Sequence, residues 1–336
     1  MVARILKNKV IIDNVKEASR IYNKFYGKMN EKLELSLVEA CYLLEKNRIE
    51  IEKEGKKIEL KEFIENSLST YKDFEIKYLV YRDLRERGYI ISISNDFLLY
   101  ERGKKPPADP SFIVKALSER AKFKIREIMK WIEEAGDKRL LIGIVDEEGD
   151  LTYYLTKFFM LKGNVKEKEY EGSIISLDDR CIVWEKKLAE KLKKNFIGRD
   201  FGKYVQLSLM EAAYLSKRGA KIFRNGKAMT TNEFMKYTKK IQPDIEERLK
   251  VYEDLRKKNL LPKTGFKFGS HFRVYDNEAK ETHAPYLVHV VKESYETTWT
   301  EISRAIRLAH SVKKEMIFAV TKNEEIKYVR IKRLTP

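Results

Sequence analysis

The decapeptide LSLVEACYLL at residues 35–44 returns as LSLMEAAYLS at residues 207–216, and this recurrence decides how the whole chain is read. In each copy a Ser (Ser36, Ser208) precedes a Glu (Glu39, Glu211) by three residues. That is the reciprocal capping pattern that opens a helix, here a short one with apolar residues on one face. Further matches follow in the same order and at a nearly constant separation. YRDLR at 81–85 answers YEDLR at 252–256, FLLY at 97–100 answers FRVY at 272–275, and LLIGIV at 140–145 answers EMIFAV at 315–320. A period this long implies two tandem copies of one domain, since solenoid repeats are several times shorter.

Outward from the repeat, each copy carries the same succession of patterns. A small helix is expected over 60–67 and 232–239. A longer amphipathic helix is expected over 71–88 and 243–259, ending at Gly88 and Asn259 as C-caps do. The period then shortens to strand-like runs at 90–93, 97–100 and 112–115, a helix over 117–135, and closing strands over 139–145 and 151–159. Copy two repeats this with strands over 265–268, 272–275 and 286–291, then a helix over 301–312 with Thr298 or Thr300 as its N-cap. Strands over 315–320 and 326–331 close it. The expected fold is α/β (α+β): two tandem units, each a small α/β N-terminal subdomain plus a mixed-sheet, nuclease-like C-terminal subdomain. The polar, Gly-containing stretch 162–176 is the expected joint. It divides the chain into 1–165 and 166–336, and the second copy divides again into 166–262 and 263–336.

With 336 residues, 43% hydrophobic and 36% charged, the chain suits two globular domains and leaves no room for a long disordered tract. No apolar run approaches the roughly 18 residues that span a bilayer, and the start MVARILKNKV lacks the apolar segment of a secretory signal. A cytoplasmic protein with no membrane association is therefore expected. Cys41 and Cys181 fall within apolar segments and form no C-x-x-C pattern, so they are expected as buried thiols. The four histidines show no metal-ligand spacing, so neither a metal site nor another cofactor is expected. Charge is unevenly shared. Residues 1–167 hold 33 Lys and Arg against 29 Asp and Glu, a net +4, while residues 168–336 hold 36 against 23, a net +13. Such asymmetry points to a polyanion handled mainly by the second half.

Three groups in that basic half can move protons and hold an anion: Tyr275, at the end of GFKFGSHFRVY, then His283 and Lys314. Tyr275 is matched in copy one by Tyr100, His283 falls opposite Asp109, and Lys314 falls opposite Arg139. The run Gly265-Phe-Lys-Phe-Gly269 has no counterpart, copy one being about four residues shorter there. One copy is thus equipped and the other plain, as in a duplicated enzyme with one half turned scaffold. A Tyr, a His and a Lys without a metal suit attack of an RNA 2′-hydroxyl on its neighbouring phosphodiester. A base removes the 2′ proton, an acid protonates the leaving 5′ oxygen, and a cation holds the pentacoordinate phosphate. In that scheme Tyr275 is the base, His283 the acid and Lys314 the cation. A free tyrosine loses its proton near pH 10, so the base role asks for cations nearby.

The run GFKFGSHFRVY, the His of THAPYLVHVV and the stretch ISRAIRLAHSVKKEMIFAV resemble the catalytic subunit of tRNA-splicing endonucleases. The strong motifs cover about residues 252–336, and the duplication extends the match over nearly the whole chain, as in the archaeal homodimeric type with a degenerate unit ahead of an active one. The resemblance implies a metal-independent enzyme that cuts precursor tRNA at intron borders within a bulge-helix-bulge, giving 2′,3′-cyclic phosphate and 5′-hydroxyl ends. It maps the family's triad onto Tyr275, His283 and Lys314. It also implies two arginines that sandwich an extruded base, with Arg307 as the first and Arg333, or else Arg330, as the second. The same resemblance implies a homodimer in which an acidic loop of the non-catalytic unit enters a basic cleft of the partner chain. Asp146, Glu147, Glu148 and Asp150 stand where that loop belongs. Two alternatives remain at this stage: a non-catalytic RNA-binding or scaffold subunit, and a Mg-dependent nuclease of related fold.

Overall fold

The computed structural model describes residues 1–165, 169–277 and 283–336. Its contacts divide the chain into two compact units, Met1–Lys157 with Glu296–Ser303 and Lys332–Pro336, and Phe158–Tyr295 with Arg304–Ile331. In each unit the reading of the decapeptide holds. Ser36 and Ser208 cap the helices Leu37–Glu45 and Leu209–Ser216, each within a complete capping box. The buried carboxylate of Glu211 does more than cap. It accepts hydrogen bonds from the Ser208 N–H and hydroxyl at 3.0 and 2.9 Å and from the Gly198 N–H at 2.9 Å. Glu39 takes the equivalent donors, Ser36 and Gly27, in the first unit.

Around each capped helix the chain folds a six-stranded N-terminal sheet. In the second unit its order is Arg199–Asp200, Val205–Ser208, Arg180–Val183, Gly172–Ser176, Ala220–Arg224 and Lys227–Met229. The two long helices, Phe74–Glu86 and Ile245–Lys257, then bury Tyr81 and Tyr252 completely. Each helix also anchors the mixed sheet that follows: Asp83 accepts a hydrogen bond from the Tyr153 hydroxyl at 2.6 Å, and Asp254 one from the Tyr328 hydroxyl. The sheet of the second unit runs Leu261–Thr264, Phe272–Tyr275, Tyr286–Lys292, Glu315–Lys322 and Glu325–Leu334, with the helix Trp299–Ser311 crossing between the parallel strands. A single core joins both sheets of this unit, from Ile174 and Leu207 to Val274, Val288 and Ile317. Cys41 and Cys181 are buried, as expected, and burial pushes both thiols up to about 12.

Two expected elements are corrected. The helix expected over 117–135 begins only at Ile125. Leu117 and Ser118 instead continue the strand Phe112–Ser118 through parallel pairing with Ile144 and Val145, and Lys122–Lys124 pairs with Glu296–Thr298. The strand expected over 265–268 is a 3-10 turn, Phe266–Phe268, preceded by the strand Leu261–Thr264. At the expected joint, backbone bonds hold residues 159–165. The Gly163 and Val165 N–H groups donate to the carbonyls of Lys258 and Asn259, both at 2.9 Å. Gly163 is required there, because a Cβ would lie 2.2 Å from the Asn259 carbonyl oxygen. The proposed boundary at 165/166 abuts residues 166–168, outside the described residues.

Two stability measurements test this arrangement. Glu211→Ala strands three donors and should lower the urea-derived stability by about 2–4 kcal/mol; a loss below about 0.5 kcal/mol would contradict the role given to that carboxylate. His271, whose Nδ1 accepts the Val290 N–H at 2.9 Å, is pushed down to about 3 by burial and by the nearby His289 and Arg248, against Asp244. Because the folded state resists a proton that the unfolded chain accepts below about pH 6.5, stability should fall as pH drops from 6.5 toward 3, by up to about 1.4 kcal/mol per unit. In His271→Asn, which keeps an acceptor without the titration, the urea midpoint should depend less on pH over that window; an unchanged dependence would remove His271 as its source.

Candidate active site

Topology brings the three candidate groups to one sheet edge. Phe272–Tyr275 is antiparallel to Tyr286–Lys292, with Phe272 opposite Val288 and Val274 opposite Tyr286. Tyr286–Lys292 is parallel to Glu315–Lys322, with Tyr286 opposite Glu315. The end of the first strand and the beginnings of the other two therefore share an edge. Tyr275 is the last residue of the first, His283 lies three residues before the second, and Lys314 immediately precedes the third.

Lys314 is fixed most firmly. The helix Trp299–Ser311 starts with the Thr298 hydroxyl accepting the Glu301 N–H at 3.3 Å, so Thr298 is its cap. It ends with Lys313 in the left-handed region at φ 56°. The Lys313 N–H donates to the His310 carbonyl and the Lys314 N–H to the Ala309 carbonyl, the paired bonds of a Schellman motif. Lys313 is left exposed while Lys314 turns inward. The Lys314 ammonium donates to the carbonyl of Ala284 at 2.7 Å and stands 5.6 Å from the ring centre of Phe268. Burial, and then the Arg273 charge, lower its pKa from the ordinary lysine value.

Because Ala284 follows His283, that bond holds the backbone on which the imidazole is carried. His283 itself is exposed; the polar loop before it, residues 278–282, lies outside the described residues. Tyr275 is half-buried. The loop after it is held by the Asn164 N–H, which donates to the Asp276 carbonyl at 3.1 Å. Arg273, two residues earlier and so on the same strand face, has its guanidinium carbon 5.9 Å from the Tyr275 ring centre. Among the described residues, the buried Arg273 Nε has no hydrogen-bond partner. Lys263 lies opposite Arg273 on the neighbouring strand, donating to the Gly198 carbonyl; burial and the Arg256 and Arg273 charges lower its pKa against the pull of Glu211. Sequence reasoning singled out neither Arg273 nor Lys263, although strand alternation from Tyr275 identifies Arg273 as its neighbour.

The glycine-flanked run builds the wall under Lys314. Gly265 donates to the His271 carbonyl and accepts from the Phe268 N–H, closing the 3-10 turn that sets Phe268 beneath the ammonium. A Cβ at Gly265 would meet the Ser270 hydroxyl at 2.4 Å and backbone at 2.8 Å. Phe266 projects outward, 86% exposed.

Strand register sharpens the comparison with copy one. Phe97 pairs with Val114 as Phe272 pairs with Val288, so Tyr100 matches Tyr275 and Asp109 matches His283. Arg139, however, pairs with Phe112 as Glu315 pairs with Tyr286. Arg139 thus corresponds to Glu315, and the residue at the Lys314 position is Lys138. The match of Lys314 with Arg139 is corrected by one residue: copy one keeps a lysine there and lacks the histidine. Its Tyr100 is buried and takes a hydrogen bond from Ser92, and its Asp109 is exposed.

The remaining candidates are distributed as follows. Arg307 is exposed on the helix. Arg330 is engaged, with Glu315 at 3.0 Å and the Phe159 ring centre at 4.6 Å, whereas Arg333 is exposed. In the first unit, the loop 146–150 connects strands paired up to Val145 and Leu151. Asp146 is consumed by the loop itself, its carboxylate accepting the Glu148 and Asp150 N–H groups at 3.1 and 2.9 Å. Glu147 pairs with Arg120, and Glu148 and Asp150 are exposed.

Comparison with known proteins matches both parts of both units. The model of the tRNA intron endonuclease N-terminal domain matches residues 1–64 and 175–235, and that of the tRNA intron endonuclease catalytic C-terminal domain matches residues 74–153 and 245–328. Among curated relatives, the tRNA-splicing endonuclease of Methanococcoides burtonii is 38% identical, covering 99% of both chains. That of Methanosarcina mazei is 36% identical over 98% of both. That of Haloferax volcanii is 31% identical, over 95% of this chain and 94% of its own.

Proposed function

We propose that this chain, which belongs to the tRNA intron endonuclease family and cuts precursor tRNA at its intron borders, does so by internal attack of the ribose 2′-hydroxyl. Tyr275 takes the 2′ proton, His283 donates one to the departing 5′ oxygen, and Lys314 balances the charge gathering on the phosphate. The products are a 2′,3′-cyclic phosphate and a 5′-hydroxyl, and no metal enters the reaction. The observation that carries this reading is the shared sheet edge, with the Lys314 ammonium bonded to the carbonyl next to His283. Arg273 adds a fixed positive charge beside both Tyr275 and Lys314, which favours an anionic transition state. Arg307 and Arg333 are proposed to clasp a flipped bulge base, Arg330 being already engaged. Recognition then reads the shape of a bulge-helix-bulge, with sequence secondary.

In the same reading, residues 1–165 form the structural repeat and 166–336 the catalytic one, and two chains pair about a two-fold axis. Glu148 and Asp150 are the loop residues offered to the partner. Among the described residues, no helix is long and apolar enough to cross a membrane, and a cytoplasmic location fits tRNA processing.

Cleavage of an intron-bearing precursor tRNA by the purified protein should persist in EDTA and leave cyclic phosphate ends. His283→Ala should lower the single-turnover rate at least about 100-fold. Cleavage abolished by EDTA and restored by Mg²⁺ would favour the metal-dependent alternative, and undiminished cleavage by His283→Ala would remove the assigned acid. For the assembly, Glu148→Lys with Asp150→Lys should shift sedimentation from dimer to monomer at low salt. A variant that remains fully dimeric would exclude the loop as an assembly element.

A further inference from the structure

The N-terminal sheet of the second unit carries an aromatic cluster that the proposed cleavage chemistry does not use. Trp184 and Tyr204 directly follow and precede the paired residues Val183 and Val205, and their rings lie 4.9 Å apart. Phe201 stacks on Tyr204 at 5.2 Å with 12° between ring planes, and the Arg199 guanidinium lies 5.1 Å from the Phe201 ring centre. Packing among themselves does not remove these rings from water: Trp184 is 53% exposed and Phe201 42%.

Copy one shows what this position holds when it is ordinary surface. The register equivalents, next to the paired Ile12 and Leu33, are Asp13 and Lys32, joined by an ion pair of 2.6 Å. Copy two has an aromatic pair, the exposed Trp184 and the half-buried Tyr204, in place of that salt bridge, so the fold does not require aromatic rings there. Their surroundings are strongly basic. Between Arg180 and Tyr204 stand seven Lys and Arg against three acidic residues, and two of the three are occupied. Asp200 pairs with Lys193 at 2.7 Å, and Glu185 accepts the Ser173 N–H at 3.0 Å. Lys186 and Lys187, on the helix that begins just after Trp184, are exposed.

We propose that Trp184, Tyr204, Phe201 and Arg199 form a second RNA-binding surface, on which unpaired bases of the substrate stack while the neighbouring lysines track the phosphates. Exposed flat rings edged by cations are the chemistry of single-stranded nucleic-acid binding, whereas protein-binding surfaces are depleted in lysine. The inference rests on the preceding section only for the nature of its ligand. It concerns the N-terminal sheet, not the sheet that carries Tyr275.

The test uses the full-length protein. Titration with a single-stranded adenosine decamer should quench tryptophan fluorescence, since of the three tryptophans Trp184 is exposed while Trp131 is half-buried and Trp299 buried, and Trp184→Phe should remove most of that quench. Trp184→Ala with Phe201→Ala should weaken decamer binding about ten-fold or more and leave cutting of a minimal bulge-helix-bulge RNA unchanged. Trp184→Asp with Tyr204→Lys, which restores the ion pair of copy one, should show the same loss in a folded protein. Decamer affinity equal to wild type in both double variants would overturn the proposal. So would a changed oligomeric state with RNA binding intact, which would assign the rings to protein contact. Failure of the wild-type protein to cut precursor tRNA, with decamer binding still dependent on these rings, would overturn the cleavage reading and leave this one standing.

Discussion

The bond from the Lys314 ammonium to the Ala284 carbonyl is the constraint on which the candidate site depends. It joins a helix end, the start of one strand and the approach to another in a single contact, made where burial makes an unpaired ammonium costly. Reaching it requires Lys313 to adopt a left-handed backbone, which costs a non-glycine residue about 1–2 kcal/mol. The Schellman pair and a charged hydrogen bond of about 1.5–3 kcal/mol offset that. The Arg273 charge acts on both Lys314 and its strand neighbour Lys263, whose counter-charge, 3.9 Å away, is the same Glu211 that caps the helix of the repeated decapeptide. The feature that reveals the duplication in the sequence is thus part of the electrostatic support of the site.

Much of this is legible from the residues. The capping boxes, the long helices and the closing strands follow from spacing alone, because each is decided by neighbours within a few positions. The sheet edge that gathers Tyr275, His283 and Lys314 is not visible at that range; their chemistry, the contrast between the copies and the family resemblance grouped them, not their spacing. Phe266-Lys-Phe268 alternates apolar and polar as a strand does, yet Gly265 and Ser270 close it into a turn. Leu117 and Ser118 read as helix because they adjoin an amphipathic pattern, and parallel pairing with a strand some thirty residues away claims them. Matching charges aligned Lys314 with Arg139, whereas hydrogen-bond register aligns it with Lys138.

That last shift changes the account of the duplication. Copy one retains a tyrosine and a lysine at the equivalent positions, and what distinguishes it is an aspartate for the histidine, a buried tyrosine and the missing glycine-flanked turn. In the proposed mechanism the turn matters as much as the acid, since it supplies the wall beneath the lysine. The copies diverge a second time on their N-terminal sheets, where an ion pair in one answers an aromatic pair in the other. In the two proposals both departures add RNA-facing chemistry to the second copy, in keeping with its larger positive charge.

The account stands on internal attack by a ribose hydroxyl at the sheet edge of Tyr275, His283 and Lys314. The most direct measurement is single-turnover cleavage of a precursor tRNA carrying one 2′-deoxynucleotide immediately 5′ of one scissile phosphate. The account predicts no product at that junction and normal cutting at the other. Cleavage at the deoxy-substituted junction would contradict it, because a hydrolytic attack by water needs no neighbouring 2′-hydroxyl.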